Sequence, residues 1–369
     1  MFNSVDHAHM AHALRLAERG LHTTQPNPRV GCVIAHGEDV VGSGWHRRAG
    51  EAHAEVIALR EAGARARGAT AYATLEPCGL HGRTPPCADA LITAGVARIV
   101  IASIDAFQRD GGAIARLRAA GIVVESGFMQ GAARELNRGF FSRVERGRPW
   151  LRVKLAMSLD GRTALADGAS KWITGEAARN DVQRWRARSS AILTGSGTVL
   201  ADDPWLTVRD LRDEGHDGGG FVPPLRVVLD SELRTPAAAH VLDGGVPTLV
   251  VHDPAVQAGD ARFARVECVP LELRDGRLDL HALMAVLAAR GLNEVQVEAG
   301  PTLSGTLFEA GLVDELLLYI APVLLGNHAR PLLGLPALGD MRKRWRLRAI
   351  DERKLGADWR VLLRPEATA

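Results

Sequence analysis

The spacing of apolar residues divides the first 150 residues into short helices and strands. Met10, Ala13, Leu14 and Ala17 recur at helical spacing and predict a helix from Asp6 to Gly20. Apolar runs predict strands at 30–35, 39–45, 69–75, 97–102 and 122–125, and helices at 53–62, 112–120 and 129–138. A hairpin followed by alternating helices and strands predicts a three-layer α/β/α domain with a mixed sheet. The segment Arg146-Gly147-Arg148-Pro149 closes this domain, so we expect domains at 1–147 and 148–369.

The second half has a similar pattern and predicts a second α/β domain. Strands are expected at 151–156, 190–194, 225–230, 248–252, 294–298, 313–320, 345–350 and 358–363. Helices are expected from a Thr174 cap to Arg188 and at 279–290, and a polar loop at 212–220.

Two glycine-containing loops follow strands in this half, at Gly195–Pro204 and Glu298–Gly305. Backbone N–H groups at a helix start can hold phosphate, so either loop is compatible with a nucleotide. Gly195-x-Gly197 lacks the third glycine of the Rossmann fingerprint, and at Gly300-Pro301-Thr302 a plain strand-to-helix turn fits as well. These residues alone therefore leave nucleotide binding open.

Composition narrows the class of protein. The 369 residues are 46% apolar and 24% charged, as in soluble globular proteins. Lys+Arg 45 against Asp+Glu 43 gives a net charge of +2. The chain has no basic run with interleaved aromatic residues, so its composition does not indicate nucleic-acid binding. There is no apolar stretch of about 18 residues, hence no expected membrane span. The four cysteines and the absence of a signal core favour the cytoplasm, and we expect a homo-oligomer of undefined size.

One histidine, two cysteines and a glutamate carry the strongest chemical signal. His53-Ala54-Glu55 precedes Glu76-Pro77-Cys78, and Cys87 follows in a helix that we expect Thr84 to cap. His53, Cys78 and Cys87 suit a tetrahedral Zn²⁺ with one position open to water, and Glu55 suits a proton shuttle for that water. The H-x-E and P-C elements are typical of a zinc deaminase, but eight residues separate Cys78 from Cys87, where the common P-C-x-x-C form has two. A structural zinc site would need a fourth protein ligand, for which His81 is the candidate.

At this point the chain resembles a known family, the bifunctional deaminase–reductase of riboflavin biosynthesis. The resemblance runs from about Met10 to Leu325 and is carried by six motifs, which are Pro26-Asn27-Pro28-x-Val30-Gly31-Cys32, His53-Ala54-Glu55, Glu76-Pro77-Cys78 with Gly82-Arg83-Thr84-Pro85-Pro86-Cys87, Lys154-Leu155-Ala156 with Ser158-Leu159-Asp160-Gly161-Arg162, Leu200-Ala201-Asp202-Asp203-Pro204 and Val297-Glu298-Ala299-Gly300-Pro301-Thr302-Leu303.

The resemblance implies a cytidine-deaminase-like N-terminal domain and a dihydrofolate-reductase-like C-terminal domain. The first would hydrolyse the 2-amino group of 2,5-diamino-6-(5-phosphoribosylamino)pyrimidin-4-one. The second would use NADPH to reduce the ribosyl chain of the deaminated product to ribityl. The missing Rossmann fingerprint agrees with a dihydrofolate-reductase-like fold, which does not use it.

The same resemblance implies residue roles by matching position. His53, Cys78 and Cys87 would hold Zn²⁺, Glu55 would be catalytic, and Asn27 would contact the pyrimidine. The implied NADPH contacts are Ala156, Trp172, Thr198, Asp202, Ser231, Gly300, Pro301, Thr302, Leu303, Ser304, Gly305 and Thr306. The implied substrate contacts of the reductase are Ser170, Arg186, Leu206, Arg209 and Glu298, with the two arginines suited to the phosphate.

The chain departs from the family pattern at two places near the expected deaminase pocket. Gly79-Leu80 stands where Ser-His is usual, and Asp105-Ala106-Phe107-Gln108 stands where Asp-Pro-Asn-Pro is usual. Three alternatives therefore stay open beside the bifunctional enzyme. They are a reductase with an impaired deaminase domain, a nucleic-acid base deaminase, and a non-enzymatic nucleotide-binding module with structural zinc.

Overall fold

The computed structural model describes residues 2–79, 86–108, 112–209 and 220–366. The chain divides into two compact units. The first ends at Arg146 and also takes residues 220–222, and the second contains most of the chain from Gly147 onward.

The first unit holds a five-stranded mixed sheet of order β2-β1-β3-β4-β5. β1 is antiparallel to β2 and β3, whereas β3, β4 and β5 are parallel. Its elements are α1 (Ser4–Glu18), β1 (Gly31–His36), β2 (Asp39–Trp45), α2 (Ala54–Ala62), β3 (Thr70–Leu75), α3 (Cys87–Ala94), β4 (Arg98–Ser103), α4 (Gly112–Ala119), β5 (Val123–Ser126), α5 (Gln130–Leu136) and α6 (Arg138–Arg146). A short 3₁₀ turn, Gly63–Ala66, follows α2.

Both faces of this sheet are buried. Successive side chains of a strand point to opposite faces, and both sets of β1 side chains lie in apolar clusters. Cys32 and Ile34 of β1 lie in one apolar cluster with residues of α2, α3 and α4. Val33 and Ala35 lie in another, with Met10 and Ala13 of α1. The predicted three-layer α/β/α fold is therefore confirmed.

Glycines in β2 allow α2 to approach the sheet closely. A Cβ atom on Gly44 would lie 2.5 Å from the carbonyl oxygen of Ala54, and one on Gly42 would lie 2.2 Å from that of Ala58. Side chains at these two positions would push α2 away. Since Ala54 is the first residue of α2, this packing also fixes where His53 and Glu55 lie.

The second unit is built on a nine-stranded sheet of order β11-β10-β9-β8-β14-β6-β15-β18-β17. The strands from β11 to β15 in this order are parallel, β18 is antiparallel to β15, and the edge strand β17 is antiparallel to β18. Its elements are β6 (Trp150–Ser158), β7 (Arg162–Ala164), α7 (Glu176–Arg188), β8 (Ala191–Gly195), α8 (Ser196–Asp202), β9 (Leu225–Leu229), β10 (Thr248–His252), β11 (Glu267–Pro270), β12 (Leu273–Arg274), β13 (Arg277–Leu278), α9 (Leu280–Ala289), β14 (Glu294–Val297), α10 (Pro301–Glu309), β15 (Glu315–Ala321), β16 (Arg330–Pro331), β17 (Leu347–Leu355) and β18 (Asp358–Pro365).

Three local predictions differ from the structure. Thr174 does not cap α7: Gly175 does, with its N–H donating to Asp358 Oδ2 at 2.7 Å. The expected loop at Gly195–Pro204 contains the helix α8. The predicted helix at 129–138 is the shorter α5, after which the unpredicted α6 begins at Arg138.

Other sequence predictions fall where the structure says nothing. Thr84, His81 and Leu80 lie outside the described residues, as does the polar loop at 212–220 apart from Gly220. Within the described ranges, no helix has both the length and the apolar character that crossing a membrane requires.

Candidate functional site

Three side chains with metal-binding atoms converge at one edge of the first unit. His53 is the N-cap of α2, Cys78 follows β3, and Cys87 is the first residue of α3. The ligand atoms of all three lie within 4.8 Å of one another. His53 Nδ1 lies 3.2 Å from Cys87 Sγ and 3.5 Å from Cys78 Sγ.

The donor set of this cluster fits Zn²⁺. One imidazole and two thiols are the ligand types that zinc prefers, and three protein ligands leave the fourth tetrahedral position to water. The cluster contains no fourth protein ligand among the described residues, which do not include His81.

Glu55 brings a carboxyl group to this cluster from the first turn of α2. Its side chain is buried, and burial raises its pKa. Glu55 Oε2 finds no hydrogen-bond partner among the residues that the structure describes. A buried carboxyl group with one unsatisfied oxygen beside a metal site suits proton transfer, because it holds a proton more readily than an exposed one.

Hydrogen bonds at the start of α3 favour the thiolate form of Cys78. The Cys87 thiol donates to Cys78 Sγ and, with His53, lowers the pKa of Cys78. The backbone N–H of Cys87 also donates to Cys78 Sγ, at 3.2 Å. The positive end of α3 therefore favours the thiolate form of Cys78.

Asn27 is connected to the cluster through a histidine that the sequence analysis missed. Asn27 Nδ2 donates to His46 Nε2 at 3.0 Å, and His46 Nδ1 lies 3.2 Å from the carbonyl oxygen of Ala52. That oxygen can only accept, so Nδ1 carries the proton and Nε2 accepts from Asn27. The His46 ring stands edge-on to the His53 ring, 5.3 Å away. No spacing pattern marked His46, because its role depends on the fold.

The second unit contains a cavity of about 1060 Å³ whose lining comes entirely from that unit. Such a volume suits a large ligand. Fifteen of the predicted cofactor and substrate contacts line it, and these are Ala156, Ser170, Trp172, Arg186, Thr198, Asp202, Leu206, Arg209, Ser231, Glu298, Gly300, Pro301, Thr302, Leu303 and Thr306.

Two of the predicted cofactor contacts lie outside the lining. Ser304 is fully buried, with its Oγ 3.4 Å from the carbonyl oxygen of Ala299. A Cβ on Gly305 would lie 2.3 Å from the carbonyl oxygen of Gly334, so Gly305 packs against another chain segment. Both residues lie in α10, and their neighbours Leu303 and Thr306 do line the cavity.

Several charged side chains line the cavity. Arg186 pairs with Glu298 through two bonds of 2.7 Å, and it also donates to the carbonyl oxygen of Thr207. Burial raises the pKa of Glu298, but Arg186 and Lys154 outweigh it and lower that pKa to about 2. Lys154, to which the sequence analysis gave no role, lines the same cavity. Arg209 is exposed, and its guanidinium makes no hydrogen bond to a described residue.

These features define a class of protein: an enzyme with a zinc-deaminase-type domain followed by a domain with a large ligand cavity. The sequence-family model of the cytidine and deoxycytidylate deaminase zinc-binding region matches residues 3–103. The sequence-family model of the RibD C-terminal domain matches residues 149–360.

Relatives match nearly the whole chain. The riboflavin biosynthesis protein RibD of Escherichia coli is 48% identical over 96% of this chain and 97% of its own length. That of Haemophilus influenzae is 44% identical over 99% of both. A solved structure of Acinetobacter baumannii RibD has a TM-score of 0.90 and 42% identity, covering 98% of this chain and 99% of its own.

The chain belongs to the RibD family of riboflavin biosynthesis proteins. It is therefore a bifunctional enzyme with a hydrolytic deaminase domain and a reductase domain, and its cofactors are Zn²⁺ and NADPH.

Proposed function

We propose that the first unit deaminates 2,5-diamino-6-(5-phosphoribosylamino)pyrimidin-4-one, and that the second reduces the product, 5-amino-6-(5-phosphoribosylamino)uracil, to its ribityl form. The observation that carries the proposal is the buried Glu55 carboxyl beside His53, Cys78 and Cys87. A Thermotoga maritima structure, 28% identical with a TM-score of 0.84, is described as a diaminohydroxyphosphoribosylaminopyrimidine deaminase and 5-amino-6-(5-phosphoribosylamino)uracil reductase. That description supports the choice of substrates.

In the deaminase site, His53, Cys78 and Cys87 would hold Zn²⁺, which when bound makes a water molecule acidic near neutral pH. Glu55 accepts the proton of the attacking water and passes it to the leaving amine, which departs as ammonia. The raised pKa of Glu55 suits both halves of this transfer. Asn27 contacts the pyrimidine, and His46 orients the Asn27 amide.

In the reductase site, bound NADPH supplies a hydride, and the chain's own residues bind and orient the two ligands. Arg209 contacts the substrate phosphate, because its guanidinium is exposed at the cavity and has no ion-pair partner among described residues. Arg186 acts mainly through Glu298, which it keeps ionised. The start of α10, from Gly300 to Thr302, lies along the cofactor.

The proposal also covers the setting of the enzyme. The near-neutral net charge supports a small phosphorylated substrate over nucleic acid as partner. Four free cysteines agree with a reducing compartment, so we propose a cytoplasmic enzyme. We also propose that the enzyme is a homo-oligomer. The proposed domain boundary at 147/148 is supported by the division of the chain into two compact units near Gly147.

The test is ammonia release from the diaminopyrimidine phosphate, first without NADPH and then with it. We expect zinc-dependent ammonia release in the first stage and NADPH oxidation in the second. NADPH oxidation on pre-deaminated substrate without any ammonia release would instead favour a reductase with an impaired deaminase domain. Deamination of RNA or DNA in preference to the small substrate would favour the nucleic-acid alternative.

A further inference from the structure

The segment that carries Cys78 is held by a side chain from the neighbouring strand connection. β3 and β4 are adjacent and parallel, and Leu75 pairs with Ser103 at their carboxyl ends. The chain leaves both strands at the same edge of the sheet. Cys78 follows β3 and Gln108 follows β4, so the two connections lie side by side.

The Gln108 carboxamide contacts both peptide groups that flank Cys78. The N–H of Gly79 donates to Gln108 Oε1 at 2.7 Å, and Gln108 Nε2 donates to the carbonyl oxygen of Pro77 at 3.0 Å. The first group belongs to the Cys78–Gly79 peptide and the second to the Pro77–Cys78 peptide. Holding both peptide planes fixes the Cα of Cys78 and therefore the direction of its Cα–Cβ bond, from which Sγ extends.

The orientation of the carboxamide is determined by its partners. A backbone N–H can only donate and a carbonyl oxygen can only accept, so Oε1 must face Gly79 and Nε2 must face Pro77. Asp105 Oδ2 lies 3.4 Å from Nε2 on the same side, and Asp105 Oδ1 accepts from the N–H of Phe107 at 2.9 Å. The turn that contains Gln108 is thus ordered by its own first residue.

Gly79 makes this arrangement sterically feasible. A Cβ atom at this position would lie 2.8 Å from the backbone N of Ala113, at the start of α4. From α4, Arg116 Nη1 donates to the carbonyl oxygen of Gly79 at 2.6 Å, and the same guanidinium pairs with Asp89 in α3. The two departures from the usual family sequence, at Gly79 and at Gln108, therefore meet in one contact.

We propose that Gln108 is a positioning residue for the metal ligand Cys78, and that Gly79 and Gln108 form a matched pair that holds this ligand in place. The inference rests on the proposed zinc site. It assigns a constructive role to the sequence changes near the deaminase pocket, which then do not signify a damaged site. Outer partners of metal ligands typically change metal affinity about 10–100-fold when removed.

The experiment measures zinc affinity of the full chain by competition with a chromophoric chelator. Gln108→Met keeps the size of the side chain and removes both hydrogen bonds. We expect it to bind zinc about 10–100-fold more weakly than wild type, with an unchanged melting temperature of the zinc-free protein. With Co²⁺ in place of zinc, the sulfur-to-metal absorption band should shift in Gln108→Met.

Two further variants separate positioning from general loosening. Gln130→Met makes the same change at an exposed position of α5 and should match wild type. Arg116→Met frees the Gly79 carbonyl but leaves both peptide groups of Cys78 held, so its loss of affinity should be much smaller than that of Gln108→Met. If Gln108→Met cannot be obtained folded, Gln108→Asn replaces it, because its carboxamide is one methylene too short to contact both peptides.

The outcomes are distinguishable. Zinc affinity of Gln108→Met within about twofold of wild type, or an equal loss in Arg116→Met, would overturn this inference and leave the proposed function intact. Wild-type protein that binds no zinc would overturn both.

Discussion

Arg186 of α7 and Glu298, which directly follows β14, form a two-bond ion pair at the cavity of the second unit, with Nε–Oε1 and Nη2–Oε2 distances of 2.7 Å each. The two residues are 112 positions apart in sequence. Gln296 Nε2 also donates to Glu298 Oε1, at 2.9 Å. These donors stabilise the carboxylate form of a buried glutamate, which makes Glu298 a source of acid sensitivity.

The first prediction concerns the stability of the protein in acid. The pKa of Glu298 is about 2 in the folded protein, against 4.5 ordinarily. Because the folded value is the lower one, its stabilising contribution is complete above pH 4.5 and is lost as the pH falls towards 2. Urea unfolding at pH 6 and pH 3 should show wild type losing ~2 kcal/mol more than Glu298→Gln. The exposed Glu352→Gln serves as control. If wild type and Glu298→Gln lose the same free energy of unfolding between pH 6 and pH 3, the prediction is contradicted.

The second prediction concerns the proton shuttle. Glu55→Gln keeps the size of the side chain but cannot accept a proton, so the rate of ammonia release should fall by at least ~100-fold. Zinc content and NADPH oxidation on pre-deaminated substrate should stay at wild-type levels. Glu61→Gln, an exposed change on the same helix, is the matched control. Full deaminase turnover in zinc-loaded Glu55→Gln would favour the structural-zinc alternative.

The third prediction separates phosphate binding from cofactor binding. Arg209→Ala removes an exposed guanidinium at the cavity, and it should raise KM for the phosphorylated substrate ~10-fold, the scale of one charged contact. KM for NADPH should change much less. Arg348→Ala removes an exposed arginine of β17 that does not line the cavity, and it should leave both constants unchanged. Equal increases in the two constants for Arg209→Ala would remove its assignment to the phosphate.

The sequence identified the members of the metal cluster but not their supports. His53 with Glu55 and Pro77 with Cys78 form H-x-E and P-C elements that few other functions require, so the signal survives without a structure. His46 and Gln108 act through contacts with segments 19 and 31 positions away. Such contacts depend on which strands are neighbours, and no local pattern encodes that.

The same limit applies to the fold. Buried strands such as β1 and β4 were predictable, because both of their faces are covered and the apolar run is continuous. α8 was missed since Gly195 and Gly197 are typical of a loop, and tertiary packing of Val199 outweighs that preference. The Thr174 cap was wrong because Asp358, far along the chain, accepts from Gly175 and sets the start of α7.

The fourth prediction concerns a buried charge cluster that only the structure reveals. Arg152 of β6 has no exposed surface and contacts Glu294 at 2.8 Å and Glu315 at 2.7 Å, on the two neighbouring strands. Arg152→Met should lower the free energy of unfolding by ~3–5 kcal/mol, because it removes a buried partner from two carboxylates. The exposed Arg353→Met should change it by less than ~0.5 kcal/mol. Equal stability of the two variants in urea would contradict this account.

The last prediction concerns zinc removal and the independence of the two activities. The cluster of His53, Cys78 and Cys87 belongs to the first unit, whereas all residues that line the cavity belong to the second. Chelation should therefore abolish ammonia release and leave NADPH oxidation on pre-deaminated substrate within about twofold, and added zinc should restore the first activity. The zinc-loaded protein passed through the same buffer exchange is the control.

A parallel loss of both activities would show that the reductase depends on the metal-bound state of the first unit, and the proposed assignment of each activity to its own unit would then fail. Retained ammonia release in fully zinc-free protein would remove the metal from the deaminase mechanism altogether.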